Sequence, residues 1–183
     1  SAQAKRVAYA EGEDERVLRA AQVVVDEKLA RPTLIGRPKH ILKRIERFGL
    51  RLRDGIDFDL VNVEDDPRYE TFWRAYHQRT ARKGVTQQLA KIDMRRRLTL
   101  IGSMLLEFGH VDGMICGTWS STHAHLDYID PVIGKKENAK VYACMNGLIL
   151  PGRQAFIVDT HVNIDPTAEQ LAEITLAAAE EIR

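Results

Sequence analysis

The fold class is decided by residues 5–36, which read KRVAYAEGEDERVLRAAQVVVDEKLARPTLIG. Lys5–Ala10 is a short apolar run that predicts a first strand, and Pro32–Gly36 predicts a second one. Between them, from Asp14 to Ala30, apolar residues recur every three or four positions, which predicts an amphipathic helix with Asp14 as its N-cap. A strand, a helix and a strand in this order are typical of a βα-repeat with a parallel sheet.

The same alternation continues along the chain. The sequence predicts a helix from Pro38 to Gly49, an edge strand at Asp57–Val63 and a helix over Arg68–Arg82. It then predicts a helical run from Thr86 to Phe108, a strand at Val111–Gly117 and a short helix ending at Ile129. We therefore predict an α/β fold in which helices cover both faces of a largely parallel sheet.

A second domain is predicted after the Pro131 to Lys136 region, with the first domain covering residues 1–134 and the second residues 135–183. Two apolar strands around Pro151-Gly152 predict a β-hairpin, and Asp165-Pro166 predicts the start of a last helix, with Asp165 as N-cap. Because that helix runs to Arg183 without a C-cap, we expect the chain to be cut inside this second domain.

Composition narrows the class of protein. The 183 residues are 44% hydrophobic and 29% charged, and no apolar run is long enough for a membrane span, so we predict a globular protein without membrane contact. Residues 1–100 carry 22 Lys and Arg against 15 Asp and Glu, whereas residues 101–183 carry 5 against 11. The positive charge of residues 1–100 attracts phosphate-bearing ligands. Because acidic residues are mixed with the basic ones, we do not predict nucleic-acid binding.

The two cysteines, Cys116 and Cys144, lie in apolar runs without a CxxC pattern. They are predicted to be buried reduced thiols of a cytoplasmic protein rather than zinc ligands.

The usual motifs for a nucleotide-binding loop, a P-loop, a serine hydrolase or a zinc protease do not occur. In a parallel sheet, ligands bind outside the carboxyl ends of the strands, and the segment after the Val111–Gly117 strand is Gly117–Thr122, GTWSST. Its hydroxyl and N–H groups suit a phosphate or a carboxylate, with Ser121 and Thr122 as candidates, while a helix cap plus a turn is the alternative.

Histidines and acids give two weaker patterns. His123 and His125 form an HxH without an obvious third ligand, and Asp159, His161 and Asp165 would share one strand face by alternation. Capping and solvation explain the second set as well, and no metal site is predicted.

Several segments together resemble the phosphate acetyl/butyryltransferase family. They are Lys83–Thr86 (KGVT), Asp112–Gly117 (DGMICG), Ser121-Thr122, Val162-Asn163, Asp165-Pro166 and Ala168–Glu173 (AEQLAE). The opening Val7–Ala21 is similar to the start of the phosphotransacetylase-like C-terminal domain of bacterial NADP-dependent malic enzymes. The resemblance spans essentially the whole chain.

The resemblance implies a fold like that of isocitrate and isopropylmalate dehydrogenases, with acyl phosphate and coenzyme A meeting in a cleft between two α/β domains. The family places a cation just before its Gly-Val-Thr. Arg79, Arg82 and Lys83 are therefore candidate contacts for an acyl-CoA or a phosphate, together with Ser121 and Thr122, although a plain charged surface also explains such basic residues.

Two departures from the family matter. Acetyl-transferring relatives typically continue the Ser-Thr turn into Leu-Arg-Pro, where the Arg serves CoA phosphate binding, whereas this chain has Leu126-Asp127-Tyr128. The catalytic Ser-Arg and Asp of the family lie beyond the position of Arg183, so we expect no catalytic residue in this chain.

The resemblance implies a fragment of a malic-enzyme domain that senses acetyl-CoA and supports oligomerisation. The parent would decarboxylate malate oxidatively to pyruvate in its other domains, with NADP and Mg or Mn there and no cofactor in the fragment. An exposed sheet edge leads us to expect a homo-oligomer. The alternatives are the N-terminal half of a genuine phosphate acetyltransferase and a purely structural assembly module.

Overall fold

The computed structural model describes residues 4–182, which form two compact units. The first unit ends at Ile133 and the second begins at Gly134. The expected end of the last helix at Arg183 lies outside the described residues.

The first unit is built on a four-stranded parallel sheet. Its strands are β1 (Arg6–Tyr9), β2 (Arg31–Gly36), β3 (Asp59–Asn62) and β4 (Gly113–Ile115), and their order across the sheet is β3-β2-β1-β4. The predicted parallel α/β fold is therefore confirmed, and β3 lies at an edge as its alternating pattern indicated.

Both faces of this sheet are buried. Ala8 of β1 and Ile35 of β2 belong to one core cluster, whereas their neighbours Tyr9 and Leu34 belong to a second cluster on the opposite face. Because successive side chains of a strand point to opposite faces, strands covered on both sides read as continuous apolar runs.

Six α-helices surround the sheet in the described part of this unit. They are α1 (Glu15–Asp26), α2 (Pro38–Arg47), α3 (Tyr69–Thr80), α4 (Gln87–Arg96), α5 (Leu98–Glu107) and α6 (Thr122–Ile129). Asp14 caps α1 as predicted, since its carboxylate accepts the N–H of Arg16 at 2.8 Å. The helix predicted over Arg68–Arg82 ends at Thr80 and continues as a 3₁₀ turn, Ala81–Lys83.

The prediction of one helical run from Thr86 to Phe108 is wrong. The run is broken at Arg97, whose backbone is extended with φ −102° and ψ 94°. The reason is packing: α4 contacts α3, whereas α5 turns away to lie on β1, β2 and β4 and is buried from Thr99 to Leu105. A helix apolar on every side belongs inside the protein, and an exposed straight continuation of α4 would leave that surface in water.

The second unit holds an antiparallel hairpin, β5 (Met145–Leu150) and β6 (Arg153–Val158), followed by α7 (Ala168–Ile182), which packs on β6. The predicted hairpin around Pro151-Gly152 is confirmed. The predicted cap at Asp165 is wrong, because Thr167 and Gln170 cap α7 reciprocally. Thr167 Oγ1 accepts the N–H of Gln170 at 3.3 Å and Gln170 Oε1 accepts the N–H of Thr167 at 2.8 Å, which satisfies both backbone donors.

Two smaller expectations are also settled here. Asp159 and His161 lie after the end of β6 and both have left-handed backbones, with φ 60° and 68°, so they do not share a strand face with Asp165. Cys116 and Cys144 are free thiols, as predicted, but each is only partly buried. Within residues 4–182, no helix combines the length and the apolar character that crossing a bilayer requires.

Candidate functional site at the carboxyl end of the sheet

The candidate site lies where the strand order places β1 beside β4. The chain leaves β1 through α1 toward β2 on one side, whereas β4 lies on the other side of β1 and leads into α6, so the strand order reverses here. In α/β proteins, ligands bind outside the carboxyl ends of the strands at such a point. The first loop is Ala10–Asp14, and the second, which we call the β4 loop, is Cys116–Ser121. The two loops are joined from the start, because the N–H of Ala10 donates to the carbonyl of Ile115 at 3.0 Å.

The loop after β1 approaches β2 so closely that it needs a glycine. A Cβ on Gly12 would lie 2.7 Å from the carbonyl oxygen of Ile35 and 2.9 Å from its nitrogen. The N–H of Gly12 also donates to that carbonyl at 3.1 Å. Only a residue without a side chain fits this approach of two backbones.

Glu13 fastens the same loop to the end of β2. Its carboxylate accepts the backbone N–H of Arg37 at 2.9 Å and pairs with the Arg37 guanidinium at 2.8 Å. These hydrogen bonds hold the pKa of the Glu13 carboxyl below its usual range, against the opposing effect of burial. Glu13 is therefore a structural anchor in its ionised form.

Glu11 reaches from the first loop to the second. Its side chain is buried, with 3% of the residue exposed, and Oε1 accepts the N–H of Gly117 at 3.1 Å. Gly117 has a left-handed backbone with φ 115°, a conformation that residues with side chains rarely adopt. Burial, followed by the negative charge of Glu11, raises the pKa of the neighbouring Cys116 thiol, which favours its neutral form.

His125 holds the other end of the β4 loop. Its Nε2 lies 2.5 Å from the carbonyl oxygen of Trp119 and 3.9 Å from Glu11 Oε1, while its Nδ1 lies 2.7 Å from Thr99 Oγ1. Because a carbonyl oxygen can only accept, Nε2 is assigned the proton, and in the neutral ring Nδ1 accepts from the Thr99 hydroxyl.

Trp119 is also held through its indole. Nε1 donates to Asp14 Oδ2 at 2.7 Å, and Arg16, which pairs with the same carboxylate, donates to the carbonyl of Thr118 at 3.3 Å. The hydrogen bonds from Arg16 and Trp119 hold the pKa of the Asp14 carboxyl well below its ordinary value. Asp14 therefore both caps α1 and holds Trp119 of the β4 loop.

The candidate residues Ser121 and Thr122 lie at the beginning of α6, where the β4 loop ends. Ser121 Oγ accepts the N–H of Ala124 at 3.4 Å as the N-cap, and both residues are exposed at the crevice. The cap is thus present, and the dipole of α6 would favour an anion near this end of the helix.

The basic candidates lie on another element, at the end of α3. The Arg79 guanidinium pairs with Glu107 at 2.5 Å and also donates to the carbonyl of Val132, so it has a structural role. Arg82 and Lys83 are exposed in the Ala81–Lys83 turn. Among residues 4–182, no hydrogen bond or ion pair joins this basic group to Ser121 or Thr122, so the five candidates form two separate groups.

Sequence reasoning missed Glu11, Asp14 and Thr99 as parts of the site and considered His125 only within an HxH pair. His123 and His125 are two apart on a helix and do not face each other, and His123 is exposed. Within the described residues, no group of three or more His, Cys, Asp or Glu side chains has an arrangement suited to a metal ion.

The strand order and the crevice define a doubly wound α/β protein with a candidate ligand site between β1 and β4. Residues 1–183 match the family described as phosphate acetyl/butaryl transferase, and the chain therefore belongs to this family. It is 47% identical over 178 residues to the NADP-dependent malic enzyme of Haemophilus influenzae, covering 97% of this chain and 24% of that enzyme. It is 32% identical to the phosphate acetyltransferase of Nitratidesulfovibrio vulgaris, over 97% of this chain and 25% of that protein.

Among solved structures, the phosphotransacetylase of Streptococcus pyogenes superposes with a TM-score of 0.80 at 28% identity, over 98% of this chain and 54% of that one. The chain thus spans about half of that protein and about a quarter of the two curated relatives. The resemblance to the phosphotransacetylase-like domain of malic enzymes and to phosphate acetyltransferases is borne out.

Proposed function

We propose that the chain is part of a regulatory domain of an NADP-dependent malic enzyme and that its crevice binds acetyl-CoA without transferring the acetyl group. The parent would oxidise and decarboxylate malate in other domains, with NADP and Mg or Mn there. Such binding would change activity elsewhere if acetyl-CoA had unequal affinities for two conformational states of the parent protein.

The observation that carries this proposal is the exposed carboxylate of Asp127 on α6, the helix that begins at the β4 loop. Acetyl-transferring relatives typically have an arginine at this point of the motif. A carboxylate repels a phosphate that a guanidinium would hold bidentately, so the CoA contact of the acetyl-transferring relatives is missing here, which supports the part of the proposal that excludes acetyl transfer. The higher identity to malic enzymes than to acetyltransferases supports the same choice.

The first test measures transfer directly. The pure chain is incubated with acetyl phosphate and CoA, and thioester formation is followed by its ultraviolet absorbance. We expect no acetyl-CoA above the uncatalysed background, and clear turnover would contradict the proposal.

The second test measures sensing in the parent protein. Malate-dependent NADP reduction is titrated with acetyl-CoA in the wild type and in the Arg82→Ala/Lys83→Ala double variant. We expect acetyl-CoA to inhibit the wild type and the double variant to need a higher concentration. Arg74→Ala is the control, since Arg74 is also an exposed cation of α3, and it pairs with Glu70.

A substitution in the opposite direction strengthens the test. Asp127→Arg should raise the affinity for acetyl-CoA by restoring the guanidinium of the acetyltransferases, and Asp127→Asn should raise it less because it only removes the repulsion. Equal affinities in all three proteins would contradict the role given to Asp127.

The alternative function is the N-terminal half of a genuine phosphate acetyltransferase, and the superposition on the Streptococcus pyogenes phosphotransacetylase favours it. The parent gene discriminates between the two, because a malic-enzyme region upstream of Ser1 supports the first proposal and an initiator Met just before it supports the second. If the parent protein neither binds acetyl-CoA nor transfers acetyl groups, the third possibility, a purely structural assembly module, is supported. In all three cases we propose a cytoplasmic homo-oligomer without nucleic-acid or membrane contacts.

A further inference from the structure

The β4 loop is held mainly by side chains that come from outside it. Among the described residues, no backbone hydrogen bond joins two positions within Cys116–Ser121. Ser120 has a left-handed backbone with φ 73°, which costs a residue with a side chain some free energy. A strained loop of this kind keeps its shape only when surrounding groups fix it.

His125 is the outside anchor that holds the Trp119 carbonyl. Its side chain is 11% exposed and is fixed on one ring nitrogen by Thr99, which is itself buried. The other nitrogen contacts the Trp119 carbonyl, directly before the strained Ser120. Arg16, by contrast, is an exposed side chain whose contact with Thr118 is longer, at 3.3 Å.

A fixed carbonyl fixes a whole peptide plane. All described peptide bonds are trans, so the N–H of Ser120 points in the direction opposite to the Trp119 carbonyl and therefore away from His125. We propose that His125 is a positioning residue, which holds the Trp119–Ser120 peptide so that the Ser120 N–H donates to an anionic group of the ligand. The identity of that ligand as an acyl-CoA or a phosphate rests on the proposed function. The positioning of the β4 loop by His125 does not depend on it.

Two amide variants separate this role from simple packing. The side-chain nitrogen of Gln lies at about the depth of Nε2, so His125→Gln can still donate to the Trp119 carbonyl. The shorter His125→Asn places its amide at the depth of Nδ1, near Thr99, and leaves that carbonyl without its donor. Both replace an imidazole by an amide, so a role limited to filling space predicts similar behaviour for the two.

Trp119 itself reports on the loop. The chain has two tryptophans, and Trp73 is buried in α3, so Trp73→Phe leaves Trp119 as the one tryptophan, which is excited selectively at the red edge of the absorption. In this background we expect His125→Asn to shift the emission to longer wavelength and to increase quenching by acrylamide, and His125→Gln to stay near the parent values. Equal quenching in the Asn and Gln variants would overturn the proposal.

Calorimetry with acetyl-CoA on the parent protein tests the link to the ligand. We expect His125→Asn to weaken binding by about tenfold, the effect of one misplaced hydrogen-bond donor, and His125→Gln to change it little. A released Trp119 with unchanged acetyl-CoA affinity would overturn the donor role of Ser120. A wild type that does not bind acetyl-CoA would refute the proposed function, while the fluorescence result would still decide whether His125 positions the loop.

A second variant covers the case in which His125→Asn does not fold. Thr99→Val keeps the imidazole and removes the hydroxyl that fixes the ring, so it should increase the quenching of Trp119 in the same direction but by less. No change in Thr99→Val together with an unfolded His125→Asn would count against positioning and in favour of a purely structural histidine.

Discussion

Gly12→Ala is the substitution whose effect follows most directly from the geometry. The new Cβ would lie 2.7 Å and 2.9 Å from two backbone atoms of Ile35 and 3.1 Å from the Cβ of Leu34. None of these atoms belongs to a flexible side-chain end, and Ile35 and Leu34 are part of the central strand β2, so the loop rather than the strand has to move.

The magnitude has two parts. Forcing extra volume into a packed site costs about 1–3 kcal/mol. Moving the loop also lengthens the hydrogen bond from the Gly12 N–H to Ile35, now 3.1 Å, whose loss costs about 1 kcal/mol. We expect Gly12→Ala to lower the free energy of unfolding by about 2–4 kcal/mol, or the melting temperature by about 5–15 °C for a chain of this size.

Two other glycines provide graded controls in urea unfolding followed by circular dichroism. A Cβ on Gly113 meets nothing within 4 Å, so Gly113→Ala should be neutral or stabilising by up to about 1 kcal/mol. A Cβ on Gly102 meets the thioether of Met114, which can rotate away, so Gly102→Ala should fall between the other two. A Gly12→Ala protein within about 0.5 kcal/mol of wild type would refute the argument from backbone contact.

Three further predictions concern other parts of the chain. Burial raises the pKa of Tyr76 to about 12 from 10.0, so this group adds stability that is complete below pH 10 and is lost as the pH rises through 12. Alkaline unfolding at pH 11 should show a loss of about 1.4 kcal/mol in the wild type that is absent from Tyr76→Phe. The lowered pKa of Glu13 means that its bond to Arg37 stabilises the fold above the ordinary carboxyl pKa and is lost as the pH falls through the folded value; acid titration of Glu13→Gln should therefore lack this loss. Thr167→Ala should cost about 1 kcal/mol in thermal unfolding, whereas Asp165→Ala should cost almost nothing, and the reverse order would restore Asp165 as the cap.

Much of the fold could be predicted because its causes are local. The cap at Asp14 and the buried strands leave clear marks in neighbouring residues. The break at Arg97 could not be predicted, because the helical spacing of apolar residues continues across it. Only the different surfaces on which α4 and α5 pack decide that the chain turns there.

The candidate site also has features that the sequence predicts and features that it does not predict. The position of the β4 loop follows from the order of strands and helices and from the rule for parallel sheets. The partners that hold the loop do not, since Glu11 and Gly117 are 106 residues apart and Thr99 and His125 are 26 apart. A hydrogen bond between distant residues leaves no periodic pattern in the sequence, so such pairs emerge only from the folded chain.

The central place of β1 also governs how this chain can be synthesised. One edge of β1 can pair once β2 has left the ribosome, but the other edge can pair only after β4 has been synthesised. Arg6 at the start of β1 and its hydrogen-bond partner Asp112, next to β4, are 106 residues apart. At about 5–20 residues per second, translation needs on the order of 5–20 s to supply that partner. During this interval the edge of β1 that later pairs with β4 stays open, and we expect it to be exposed to pairing with other nascent chains.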